Sequence, residues 1–94
     1  MRATDRPGEK GLMAQYRVRY VSYAAEQLSH LPRAPRAAFH AKIEELKRDP
    51  HAAGDYDEHT GSYSTTFGGG TGIILYVGSD EIDMVTIIRV NWVE

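Results

Sequence analysis

Residues 62–92 read Ser62-Tyr63-Ser64-Thr65-Thr66-Phe67-Gly68-Gly69-Gly70-Thr71-Gly72-Ile73-Ile74-Leu75-Tyr76-Val77-Gly78-Ser79-Asp80-Glu81-Ile82-Asp83-Met84-Val85-Thr86-Ile87-Ile88-Arg89-Val90-Asn91-Trp92, and this stretch decides the fold. β-branched and aromatic residues concentrate in three runs, about Ser62–Phe67, Gly72–Val77 and Ile82–Trp92, a composition that suits a pleated, half-buried surface. Gly68-Gly69-Gly70 and Gly78-Ser79-Asp80-Glu81 separate them. Links this short allow only antiparallel hairpins, because a parallel crossover needs a dozen or more residues. The middle run is apolar from Ile73 to Val77, the pattern of a strand flanked on both sides and covered on both faces. The last run alternates Ile82, Met84, Thr86, Ile88, Val90 and Trp92 against Asp83, Val85, Ile87, Arg89 and Asn91, which assigns those two sets to opposite faces.

Working back toward the N-terminus, Tyr16-Arg17-Val18-Arg19-Tyr20-Val21 alternates with period two and predicts another strand, with Tyr16, Val18 and Tyr20 on one face. Ser22 stands where a helix N-cap belongs, and Ala24, Leu28 and Leu31 follow at helical spacing before Pro32. A second helix runs from about Pro35 to Arg48, with Phe39, Ile43 and Leu46 as its apolar stripe. Asp49-Pro50 ends it, because the residue before proline is driven out of the helical region. Residues 51–61 have loop composition. Residues 1–12 are charged and aperiodic and read as a disordered tail, with Met13 as an alternative start and residues 13–94 as the folded domain. The resulting order is β-α-α-β-β-β. It describes an α+β fold in which a helical hairpin packs on a four-stranded, mainly antiparallel sheet.

Composition narrows the function classes. Ninety-four residues make one domain. The absence of cysteine excludes a disulfide scaffold, a thiol nucleophile and a cysteine zinc site. The longest apolar run, Ile73–Val77, is far short of the roughly 20 residues that span a bilayer, and no signal-peptide h-region opens the chain. A soluble cytoplasmic protein with no membrane association is the expectation. The net charge of −2 hides an asymmetry: residues 1–50 hold ten of the eleven Lys and Arg against six acids, whereas residues 51–94 hold Arg89 alone against seven acids. Any surface for phosphates must therefore draw mainly on the first half.

An ordered set of signals resembles the RelE/ParE superfamily of bacterial toxin–antitoxin toxins. Tyr16-Arg17-Val18 opens the first strand, Leu28-Ser29-His30-Leu31-Pro32 ends the first helix, and Ile43-Glu44-Glu45-Leu46-Lys47-Arg48-Asp49-Pro50 matches the family's I-x-x-L-x-x-D-P helix end. Gly61-Ser62-Tyr63, Leu75-Tyr76 and Ile87-Ile88-Arg89-Val90 mark the later strands. The similarity spans about residues 16–92. It implies an mRNA interferase that cuts codons in the ribosomal A site without a metal or other cofactor or, in the ParE branch, a gyrase inhibitor. It also implies a cognate antitoxin wrapped around sheet and helices, with ribosome and mRNA as further partners. Such cleavage needs a group to take the 2′-hydroxyl proton, cations for the charge growing on the phosphate, and an acid for the 5′-oxygen.

The chain departs from that pattern where the chemistry would sit. Ser64-Thr65-Thr66-Phe67-Gly68-Gly69-Gly70-Thr71 stands where the RelE branch carries Lys and Arg, Gly72 or Ile73 where an arginine precedes the third strand, and Asn91-Trp92-Val93-Glu94 where His-Arg and Tyr follow the fourth. Tyr63 and Arg89 remain, with His59 as the general-base candidate; these three are the catalytic candidates. Arg17, Arg19, Arg33, Arg36, Lys42, Lys47 and Arg48 form a basic half-surface for RNA or an acidic partner. His51, Asp55, Asp57, Glu58 and His59 include metal-ligand types, but their spacing matches no metal motif and reads as a solvated loop, so no metal site is expected. Gly68-Gly69-Gly70-Thr71-Gly72 leads into a strand rather than a helix, which makes it a turn and not a phosphate cradle. An uncovered sheet face carrying Trp92 and Ile88 points to a homodimer or a complex.

Overall fold

A computed structural model of the chain describes residues 15–93. The expectations for residues 1–12 and for Met13 lie outside those residues. The described chain runs β1 (Arg17–Tyr20), α1 (Ser22–Ser29), α2 (Arg33–Arg48), α3 (Pro50–Ala53), β2 (Asp55–Asp57), β3 (Ser62–Phe67), β4 (Gly72–Ser79) and β5 (Met84–Trp92). The strands form one sheet in the order β1-β5-β4-β3-β2, with β1 parallel to β5 and every other pair antiparallel. The expected α+β class and both hairpins are present.

The helix layer is built on α2, where Pro35, Phe39, Ile43 and Leu46 recur every three or four residues and are buried against the sheet. Phe39, Ile43 and Leu46 meet Ile74 and Tyr76 of β4, Val85, Ile87 and Val90 of β5, Phe67 of β3 and Ala24 of α1 in one core. Phe39 joins its aromatic part, with ring centroids 5.5 Å from Phe67 and 6.3 Å from Tyr20. Asp49 ends α2 and also starts α3, because its side chain accepts from the Ala52 amide at 3.2 Å while Pro50 fills the first helical position. Ser22, expected as a cap, is instead the first helical residue of α1, which has no side-chain cap.

β1 is shorter than β5, so the upper edge of β5 has no strand beside it. Helix α1 lies there, and the Gln27 side chain accepts from the Val90 amide at 2.8 Å while its own amide reaches Asn91 Oδ1 at 3.4 Å. The β3–β4 turn uses Gly68, Gly69 and Gly70 at φ 64°, 72° and 96°, a left-handed run that side-chain-bearing residues resist.

Three details differ from the sequence expectation. The sheet has five strands, because Asp55–Asp57 inside the expected loop pairs with Ser62–Ser64 through backbone bonds. The alternation of the last strand breaks at Ile88: Tyr76 pairs with Ile87 but Leu75 with Arg89, so Ile88 is an extra residue in the ladder. Val85 and Ile87 consequently face the helices together with Val90, and Trp92 turns inward to stack on Phe67 at 5.8 Å rather than onto an uncovered face. Finally, β4 is covered on one face only. Ile74 and Tyr76 are fully buried, whereas Ile73 on the opposite face is 43% exposed.

Candidate functional site

The sheet's open face is defined by register. Arg17 lies beside Met84 and Arg19 beside Thr86, while Arg89 lies beside Leu75, Leu75 beside Ser64, and Ile73 beside Thr66. These positions alternate with the buried ones, so they share the face away from the helices. Three arginines that sit apart in sequence are thereby gathered on neighbouring strands. Arg17 Nη2 donates to the Ile82 carbonyl at 3.1 Å, Arg19 Nε donates to Thr86 Oγ1 at 2.9 Å, and the Arg89 guanidinium carbon lies 5.9 Å from the centroid of the Tyr23 ring. All three are exposed and held by neutral partners. Across the face, β4 contributes Ile73, Leu75 and Val77, and β3 contributes Ser64 and Thr66.

The rest of the expected basic half-surface lies elsewhere. Arg36 Nη2 donates to the Ser29 and Leu31 carbonyls, each at 3.0 Å, and so braces the α1–α2 junction. Lys42 pairs with Glu45 and Lys47 with Glu44 at 3.1 and 3.2 Å along α2, surface pairs worth about 0–1 kcal/mol each. Arg33 and Arg48 are exposed at the two ends of α2. The helix layer covers the other side of the sheet, so these five do not converge with Arg17, Arg19 and Arg89.

Tyr63 projects toward the helices and enters a network the sequence reading missed. Its hydroxyl lies 2.5 Å from His51 Nδ1, and His51 Nε2 lies 2.9 Å from Asp80 Oδ1, which also accepts from the Tyr16 hydroxyl at 2.8 Å. A carboxylate only accepts, so when His51 makes both bonds its Nε2–H donates to Asp80 and, with Nδ1 bare, Nδ1 accepts the hydrogen bond from the Tyr63 hydroxyl. Burial raises the Tyr63 phenol above its ordinary range, and Tyr56, Asp80 and Asp49 raise it further. The hydroxyl therefore keeps its proton near neutrality and acts as a donor, not as a base. Tyr63 also stacks on Tyr76 at 5.2 Å, and the Tyr76 hydroxyl donates to the Pro50 carbonyl at 2.6 Å. His59 sits in the β2–β3 turn beside Asp57, its side chain 91% exposed. Tyr63 and Arg89 thus occupy opposite faces of the sheet, and the three catalytic candidates do not form one constellation. His51 and Asp80 are 29 residues apart, and the sole local hint is that His51 follows the helix-initiating Pro50.

These phenols predict the alkaline behaviour of the fold. Tyr16 is pushed up to about 12, chiefly by burial and then by its bond to Asp80, and burial also raises Tyr20 and Tyr76. An unfolded tyrosine ionises near pH 10, so the unfolded chain loses these protons first. The stability they lend is complete below about pH 10 and fades as pH climbs toward 12. Tyrosinate absorbance and loss of helical circular dichroism are expected to rise together across that window. Ionisation of every tyrosine near pH 10 with helices intact would contradict this.

No helix among the described residues is long and apolar enough to cross a membrane. No family model and no curated protein matches the sequence. Solved structures do match. The chain is similar to a chain of the toxin–antitoxin complex RelBE2 from Mycobacterium tuberculosis, with 32% identity and a TM-score of 0.74 over 84% of this chain and 99% of that one. It shares its fold with a chain of the intact Escherichia coli RelBE toxin–antitoxin complex, at 20% identity and a TM-score of 0.72 over 84% and 98% of the two chains. The same holds for the archaeal RelE–RelB complex of Pyrococcus horikoshii, at 16% identity and a TM-score of 0.61 over 82% and 93%.

Proposed function

The chain belongs to the RelE toxin family, and from that membership we propose that it is the toxin-fold partner of a cognate antitoxin in the cytoplasm, with mRNA cleavage weak or lost. The observation that carries the second half is the composition of the open face. Metal-independent cleavage of RNA needs a proton acceptor, a proton donor and converging cations. On the open face, β3 and β4 offer Ser64, Thr66, Ile73, Leu75 and Val77, none of which titrates near neutral pH. The cations stand to one side on β1 and β5, and Tyr63 points the other way into its bond with His51. Each missing charge-stabilising donor costs on the order of 10²–10³ in rate, so a site short of several retains little catalysis. Binding a partner asks for none of this machinery. A protein-binding module without RNA cleavage, including a ParE-like one, is the second reading, favoured by the aliphatic centre of the same face.

Controlled induction in a bacterial host tests the proposal, with growth scored and mRNA 5′ ends mapped on translating ribosomes. The expected result is soluble, folded protein, little growth arrest and no codon-phased cuts. Arrest with phased cuts that Arg89→Ala abolishes would establish an active interferase and overturn the loss of cleavage. Arrest with intact mRNA and altered DNA supercoiling would move the chain to the gyrase-inhibiting branch.

A further inference from the structure

We propose that two copies of this chain pair through their open sheet faces, as a symmetric dimer whose twofold axis runs along β4. Such a dimer goes beyond the toxin–antitoxin reading and does not depend on it. β4 is the middle strand of five, with β5 and β1 on one side and β3 and β2 on the other. Its open-face residues Ile73, Leu75 and Val77 form an aliphatic strip, with Ile73 43% exposed. The two flanks of the strip carry opposite charge. β1 and β5 place Arg19 and Arg89 on this face, whereas β2 places Asp55 and Asp57 there, beside Ser64 and Ser62. All four charged residues are exposed. A ligand of one sign meets repulsion on one flank: nucleic acid or an acidic peptide at the aspartates, a basic peptide at the arginines. A second copy, turned over, does not.

Register sets these charges in rows. Arg89, Leu75, Ser64 and Asp55 are successive cross-strand partners and form one row. Arg19 pairs with Thr86 and Thr86 with Val77, while Asp57 pairs with Ser62, one rung past the Tyr63–Tyr76 pair and so level with Val77. Each row thus has an arginine toward one end and an aspartate at the other. A twofold rotation about an axis along β4 keeps every row at its level and exchanges the flanks. Arg19 of one copy then faces Asp57 of the other, because each lies two strands from β4. Arg89 comes within one strand spacing, about 4.8 Å, of the place opposite Asp55. The two aliphatic strips meet on the axis. An axis across the strands would set arginine over arginine, so the charges select one of the two face-to-face pairings. The groups this needs are not used up. Arg19 spends Nε on Thr86 and keeps its terminal nitrogens, and Asp57 takes the His59 amide on Oδ1 and keeps Oδ2. Arg17 stands one row farther out, bonded to the Ile82 carbonyl. At about 4.8 Å per strand and about 3.3 Å per residue, the five strands over the span Ile73–Ser79 make a flat area of about 550 Å². Two copies would bury about 1,100 Å², the low end of specific interfaces, which suits a reversible dimer.

Sedimentation velocity of the full chain, at about 1 to 300 µM, tests the pairing. The 10.5 kDa chain is expected to pass from monomer to dimer across that range. It should grow no further, because a closed twofold contact uses the same face of both copies. Arg19→Asp and Asp57→Arg should each weaken association at least about tenfold, since symmetry repeats every like-charge contact twice. Mixing these two variants in equal amounts should restore the dimer. In the mixed pair one contact joins the two reversed positions and the other joins the two native ones, so both are attractive again. Ile73→Asp, at an exposed position on the axis, sets two carboxylates together and should leave a monomer. Circular dichroism checks that all three variants fold. A monomer up to the highest concentration, a dimer indifferent to either charge reversal, variants that stay apart when mixed, or open-ended growth would each overturn the inference. Cut or intact mRNA on induction bears on the proposed function alone and leaves this result where it stands.

Discussion

Phe39→Ala is expected to destabilise the fold by about 3–5 kcal/mol. Phe39 is fully buried on α2 and is the one aromatic side chain that the helix layer sends into the core, where it meets Tyr20 of β1 and Phe67 of β3. Its removal leaves a void bounded by rings that cannot all collapse inward, because each also packs on its own strand. A domain of this size has a total stability on the order of 5–15 kcal/mol, and each 1 kcal/mol moves its melting temperature by roughly 4–8 °C. The variant should therefore melt roughly 12–40 °C lower. Thermal and urea unfolding followed by circular dichroism would measure it, and a drop of only a few degrees would mean that the helix layer is not held through this contact.

The second large effect is a gain of one methyl group. In Gly72→Ala, a Cβ at position 72 would run into Phe67 Cε1 and Cζ, well inside contact distance. Phe67 has little room to yield, because Phe39 stands 5.5 Å from its centroid on one side and Trp92 stacks at 5.8 Å on another. Overpacking of this kind costs typically about 1–3 kcal/mol. Gly78→Ala in the same strand is the control: nothing lies within 4 Å of the added atom, and its effect should stay within about 0.5 kcal/mol. The two urea midpoints should part accordingly, with unchanged slopes. Equal midpoints would show that Phe67 can shift and that the β3–β4 hairpin is looser than its packing implies.

Periodicity made most of the architecture legible in the sequence. The 3.6-residue stripe of Phe39, Ile43 and Leu46 marks α2, and the glycine clusters that separate the apolar runs mark the hairpins. What stayed hidden depends on pairing or on distance. β2 is Asp-Tyr-Asp, three polar-flanked residues whose only claim to be a strand is backbone bonding to β3. The extra residue at Ile88 follows from how β5 registers against β4, and the doublet Ile87-Ile88 looks the same in a straight strand. That slip sends Trp92 inward, where simple alternation had put it with Ile88. The candidate site was legible residue by residue but not as a constellation. Arg89 and Tyr63 are both present, yet their register places them on opposite faces, and the contact of His51 with Asp80 is a product of tertiary folding.

The side chain of Gln27 has a bearing on how this protein behaves in a crowded cell. A strand edge with open amides is a template on which a second copy can lay down its own strand, and from there a ladder of copies can grow. The upper part of β5, from Ile88 to Trp92, is such an edge, without a strand beside it because β1 ends early. Gln27 satisfies its Val90 amide, and the body of α1 stands in the way. One amide side chain on a short helix thus acts as a stopper against polymerisation, and a protein that carries an aliphatic strip on its open face has particular need of one.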